Sequence, residues 1–133
     1  CGPTLGVYRV TKHGVVALSE TLYHELREKG AKIMVSVLCP SFVDTRILDS
    51  ERNRPSELRN DPVKVSRPEE EAFKTRIRQA AKTAISSGRI AELVFDAVRK
   101  QRFYIFPHPE MKDLVRLRME DLLLERNPSI PIR

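Results

Sequence analysis

Residues 32–39, Lys32-Ile33-Met34-Val35-Ser36-Val37-Leu38-Cys39, narrow the possible folds more than any other stretch of this chain. Their apolar side chains run almost without interruption, with neither the two-residue alternation of a half-solvated strand nor the spacing of an amphipathic helix. A short, β-branched run of this kind suits a parallel strand covered on both faces. Pro40 lacks the N–H that a ladder requires and ends it. Such a strand needs helices above and below it, and the chain has amphipathic segments on either side.

In residues 8–29, Val15, Leu18, Leu22 and Leu26 recur at steps of three and four, while Glu20, His24, Arg27 and Glu28 fall opposite. This predicts a helix, with Gly30 as its C-terminal cap. At about 100° per residue, Tyr8 and Lys12 share the apolar stripe, which places both at one end of a buried face. Residues 41–65 lose this patterning and carry Pro55 and Pro62, with Pro68 just beyond, so a long excursion from the sheet is expected. Residues 69–85 read as a helix with a narrow apolar side made of Ala72, Phe73, Ile77, Ala80, Ala81 and Ala84. Ser86-Ser87-Gly88 breaks that helix and caps the next one, residues 89–101, which is expected to bury Ile90, Leu93, Val94, Ala97 and Val98. Residues 102–106 form a second strand that stops at Pro107. A last helix spans residues 109–125, with Met111, Leu114, Val115, Leu122 and Leu123 on its apolar side.

Helix, strand, excursion, helix, strand, helix describes one right-handed strand-helix-strand crossover of an α/β fold. Two strands leave unpaired edges. Partner strands are therefore expected upstream of Cys1, where the chain opens on a Gly-Pro turn signal instead of a methionine.

Composition limits the function classes. With 41% hydrophobic and 32% charged residues, the chain has enough apolar material for a core and is not of disordered type. Its formal charge of +6 comes from 24 basic and 18 acidic residues that are interleaved along the sequence. Nucleic-acid binding is better served by a basic stripe with aromatics for stacking, and aromatics are only 6% here. Cys1 and Cys39 make neither a metal-ligand spacing nor a disulfide framework, which points to a reducing, cytoplasmic setting. No apolar run approaches the ~20 residues of a membrane-spanning helix. No metal, nucleic acid or membrane partner is expected.

Tyr8-Arg9-Val10-Thr11-Lys12 carries the chemistry. Residues four apart share a helix face, so the Lys12 ammonium can favour the phenolate of Tyr8, a group that ordinarily titrates near ~10. The spacing alone would equally suit a structural tyrosine beside a snorkelling lysine. The run YRVTKHGVVALSETLYHELREKGAKIMVSVLCPSFVDTRI, however, resembles the C-terminal half of short-chain dehydrogenase/reductases. Tyr8 and Lys12 match that family's Tyr-x-x-x-Lys, and Leu18-Ser19-Glu20 matches the middle of the same helix. Leu38-Cys39-Pro40-Ser41-Phe42-Val43-Asp44-Thr45 matches its Pro-Gly-x-Val-x-Thr loop. Weaker similarity continues through Gly88-Arg89-Ile90-Ala91, residues 103–107 and Arg126-Asn127-Pro128.

The resemblance implies the C-terminal portion of a Rossmann-like doubly wound parallel sheet. It implies one domain over residues 1–133, with a lid or substrate loop at about 46–85. Tyr8 and Lys12 would be the catalytic residues of hydride transfer between NAD or NADP and an alcohol or ketone substrate. Tyr8, Lys12, Pro40, Ser41, Val43 and Thr45 would contact the cofactor, with Lys12 on the ribose hydroxyls and Val43 and Thr45 on the nicotinamide carboxamide. Ser41 replaces the family's usual glycine, which puts its own contact in question. The family's Gly-rich phosphate-binding turn, its nucleotide-selecting residue and its catalytic serine are not in this sequence, so the isolated chain is expected to be inactive and marginally stable. The resemblance also allows a non-catalytic dimerisation or scaffold module, and in either case a homo-oligomeric parent.

Other residues have ordinary readings. Thr45 could instead cap the following turn. Cys39 reads as a small buried apolar residue. His13 and His24 read as surface or subunit-contact residues, and His108, between two prolines, as a turn residue. The arginines of residues 46–78 read as a solvated face rather than an acidic-substrate site.

Overall fold

The computed structural model describes residues 5–59, 72, 75, 77–79 and 84–129. The chain forms two compact units, one comprising Cys1–Ser41 with Leu93–Arg133 and the other Phe42–Glu92.

In the first unit, helix α1 spans Gly6–Glu28. It ends in a Schellman motif: Ala31 N–H donates to Leu26 C=O at 2.9 Å, Gly30 N–H donates to Arg27 C=O at 3.0 Å, and Gly30 adopts φ 63°. The glycine cap expected from the sequence is therefore present. Strand β1, Val37–Leu38, pairs in parallel with a strand, Tyr104–Ile105, that is β4 in chain order. Val37 N–H donates to Phe103 C=O at 2.7 Å and Cys39 N–H to Ile105 C=O at 2.9 Å. Ser36 Oγ extends the junction with a 2.8 Å bond to Arg102 C=O. Both strands are shorter than their apolar runs, because ladder bonds among the described residues reach only this far; residues 33–36 have strand composition without strand pairing.

In the second unit, β2, Val43–Asp44, lies parallel to β3, Ile85–Ser86. Sequence reading placed Ile85 at a helix end; the structure places it in β3, paired with Val43. Residues 72, 75 and 77–79 are helical, and the rest of the helix expected over 69–85 lies outside the described residues. Residues Arg46–Asn53 and Ser56–Leu58 form short 3-10 turns.

Helix α2, Ser87–Arg99, follows β3 directly. The Ser86 hydroxyl accepts the Arg89 N–H at 3.2 Å, so the expected serine cap is made. Helix α3 spans Met111–Leu123. These segments and the parallel pairing of β1 with β4 make the α/β crossover expected from the sequence, as part of a Rossmann-like sheet. Among the described residues the buried hydrophobic side chains of the core are Val37, Ala97 and Ile105 in the first unit and Ile90 in the second. Val98, Leu122 and Leu123, expected on buried faces, are exposed.

Candidate functional site

Tyr8 and Lys12 stand in the first two turns of α1, and the helix brings them together as their spacing requires. Lys12 Nζ lies over the Tyr8 ring, 5.4 Å from its centroid. Thr11 Oγ1 donates to the Tyr8 C=O at 2.7 Å, which ties this turn together from its outer side. The expected burial of the pair is not found. Tyr8 is 56% exposed, and Val15, Leu18 and Leu22 on the same stripe are exposed with it. The half-buried residues of α1 are Arg9, Val16, Ser19, Glu20, Tyr23 and Leu26, centred to one side of the stripe. From this row Tyr23 and Glu20 reach Phe103 and Tyr104, and the aliphatic row is left in solvent. Tyr23 meets Phe103 edge to face at 5.2 Å between centroids.

Glu20, expected on the solvent side of α1, accepts a hydrogen bond from the Tyr104 hydroxyl. That bond, followed by partial burial, raises the Tyr104 pKa and keeps the phenol protonated.

Beyond β1 the chain passes through exposed Pro40 to half-buried Ser41, whose N–H donates to His108 Nδ1 at 3.1 Å. Accepting this bond places the proton of a neutral His108 ring on Nε2. His13 is opposite in tautomer: its Nδ1, 2.9 Å from the Arg9 C=O, faces an acceptor and must carry hydrogen. Cys39, at the end of β1, is partly buried, and desolvation raises its thiol pKa.

Val43 and Thr45 lie in the second unit. Val43 is half-buried in β2, opposite Ile85; Thr45 is exposed, immediately before the 3-10 turn at Arg46–Asn53. Among the described residues the Thr45 hydroxyl makes no hydrogen bond, and Lys12 no ion pair. The Pro40–Ser41 turn leaves the C-terminal end of a parallel strand, the edge at which open α/β sheets receive ligands. Among the described residues no three His, Cys, Asp or Glu side chains cluster to hold a metal ion.

Sequence reading missed the bonding of His108 to Ser41 and of Glu20 to Tyr104. These partners stand 67 and 84 residues apart, and only the parallel register of β1 and β4 brings them together.

Comparison with known proteins agrees with the fold. The short chain dehydrogenase family model matches residues 2–56. A CLA biosynthesis dehydrogenase/reductase of Lactiplantibacillus plantarum is 31% identical over 134 residues, covering 98% of this chain and 46% of the relative. A 1-deoxy-11-beta-hydroxypentalenate dehydrogenase of Streptomyces exfoliatus is 27% identical, covering 98% of this chain and 38% of its own. Among solved structures, a short chain dehydrogenase/reductase from Burkholderia phymatum in complex with NAD superposes with a TM-score of 0.86 at 42% identity. The match covers 98% of this chain and 46% of that one. The chain thus spans less than half the length of these relatives.

Proposed function

Because this chain belongs to the short-chain dehydrogenase/reductase family, we propose that it supplies the acid/base half of an oxidoreductase site. The reaction is hydride transfer between NAD or NADP and an alcohol or ketone. The observation that carries this reading is the Lys12 ammonium 5.4 Å from the centroid of an exposed Tyr8 ring. A bound nicotinamide would supply the hydride chemistry at the substrate carbon. Tyr8 donates its phenolic proton to the carbonyl oxygen in reduction and takes it back from the alcohol in oxidation. Lys12 stabilises the phenolate left behind and donates to ribose hydroxyls. The Val43 backbone and the Thr45 hydroxyl hold the carboxamide, while Pro40 and Ser41 shape the turn that leads to them. A segment at about residues 46–85, much of it outside the described residues, serves as the substrate lid or loop.

Turnover also needs the glycine-rich turn and the carbonyl-polarising serine, neither of which is in this sequence. In the complete enzyme, meaning a polypeptide that joins this chain to those elements, Tyr8→Phe should lower kcat at least about 100-fold. Unchanged turnover in that variant would remove Tyr8 from the chemistry. The chain alone should show no turnover with either nicotinamide cofactor.

One observation favours a second reading. Val7 is 83% and Leu18 70% exposed on α1, an apolar row suited to association between copies in a homo-oligomer, whether catalytic or purely scaffolding. A complete polypeptide that oligomerises but binds no nicotinamide nucleotide would select the scaffold.

A further inference from the structure

His108 is bonded on two sides. Its ring accepts the Ser41 N–H at 3.1 Å, and its backbone C=O accepts the Met111 N–H at 3.0 Å at the start of α3. Pro107, which is buried, and Pro109 flank it, so the backbone carrying the ring has few alternatives. Ser41 has a matching need. Cys39 N–H makes the last ladder bond of β1, and Pro40 has no N–H, so Ser41 presents the first donor beyond the sheet. That donor is met by a side chain from just beyond the C-terminal end of the neighbouring parallel strand, not by backbone. The bond therefore fixes the peptide from which the chain continues into Phe42, Val43, Asp44 and Thr45.

We propose that His108 is a positioning residue for the nicotinamide-binding loop. By accepting the Ser41 N–H it holds the peptide from which the loop starts, and so supports the affinity of the loop for the cofactor. This rests on the loop's assignment to the cofactor in the preceding section. It assigns a role to a histidine outside the catalytic and cofactor contacts proposed above. It also bears on serine in place of glycine: with a side chain present at residue 41, the turn is held through its N–H from the β4 side.

The test is calorimetric titration of the complete enzyme with NAD+ and with NADP+, alongside thermal melting, for the wild type, His108→Asn, His108→Leu and Thr45→Ala. Asparagine carries an acceptor oxygen as many bonds from the backbone as histidine Nδ1; leucine carries none. The expected result is a Kd about 3- to 10-fold weaker in His108→Leu and within about 2-fold of wild type in His108→Asn, as one neutral hydrogen bond predicts. Should His108→Leu not fold, His108→Gln, with its acceptor displaced by one bond, replaces it with the same expectation. Wild-type affinity in the leucine variant, or equal loss in both substitutions, would overturn the positioning role. If Thr45→Ala weakens binding while His108→Leu does not, the loop assignment stands and His108 alone is excluded. If neither nucleotide binds the wild type, the loop assignment fails as well.

Discussion

Lys12 has two duties in the proposed site, and they require different properties of its side chain. Stabilising the Tyr8 phenolate needs positive charge, whereas holding ribose hydroxyls needs a compact donor at the end of a flexible stem. Arginine meets the first need and places its planar fork differently for the second. Lys12→Arg in the complete enzyme is therefore expected to raise the KM for the cofactor more than it lowers kcat, and Lys12→Met should impair both, as steady-state kinetics with varied cofactor will show. Cys39, beside the Pro40–Ser41 turn, has no such part. Its thiol is held above the ordinary range by desolvation, so little thiolate exists at neutral pH. Alkylation by iodoacetamide at pH 7 should be slower for Cys39 than for a free cysteine, and a faster rate would mean that the thiol is activated.

Helix ends explain much of what could and could not be read at the scale of elements. Gly30 announced the end of α1 because only glycine adopts a left-handed φ without steric penalty. The same motif closes α2 and α3 without that signal. Arg102 N–H donates to Ala97 C=O and Gln101 N–H to Val98 C=O after α2; Arg126 N–H donates to Asp121 C=O and Glu125 N–H to Leu122 C=O after α3. Gln101 and Glu125 hold φ of 52° and 51°. Both helices were expected to run further, to 101 and 125, because nothing in the identity of these residues marks a left-handed turn. Gln101→Gly and Glu125→Gly should each raise stability by about 0.5–1 kcal/mol, and Gly30→Ala should lower it by about 1 kcal/mol, in urea unfolding of the complete enzyme. Nothing lies within 4 Å of a Cβ built at Gly30, so strain alone would be measured there. The strands were legible as apolar runs but not in length, since pairing depends on where the partner lies. The two-residue ladder of β2 with β3 left no periodic trace at all.

Asp121 shows a similar limit on α3, where an acidic residue in the last turn reads as solvated but is only 6% exposed. It accepts the Ser129 N–H at 2.8 Å and the Ser129 hydroxyl at 3.2 Å, and it pairs with Arg126 at 3.2 Å. These bonds, the Ser129 N–H first, hold its carboxyl below the usual range despite desolvation. A carboxyl with a depressed folded pKa contributes stability above its unfolded value, near ~3.9, and loses it as pH falls through the folded value. Urea midpoints of the complete enzyme should thus fall on acidification below about pH 5, with a smaller fall in Asp121→Asn.

At the scale of the whole chain, the fold class was legible because a doubly covered strand and a crossover leave few alternatives, whereas the choice of buried face was not. The apolar periodicity of α1 implied that Val15, Leu18 and Leu22 would be covered; in the structure they are 51%, 70% and 44% exposed. Ile33 and Met34, composed for a strand with cover on both faces, are 61% and 48% exposed. A periodic pattern reports that a face is meant to be buried, not what buries it. Among the described residues the core is confined to Val37, Ile90, Ala97 and Ile105, too few side chains to offset the ordering of a chain this long at about 1–2 kcal/mol per residue for the backbone alone. The isolated 133-residue chain is therefore expected to melt over a broad range, to bind a hydrophobic dye below that range, and to self-associate with rising concentration. Calorimetry, dye fluorescence and sedimentation on the same sample check all three. A sharp, concentration-independent melt of a monomer would mean that the exposed apolar residues on α1 and ahead of β1 need no cover. The scaffold reading would then lose its physical motive, since association would no longer relieve an exposed apolar face.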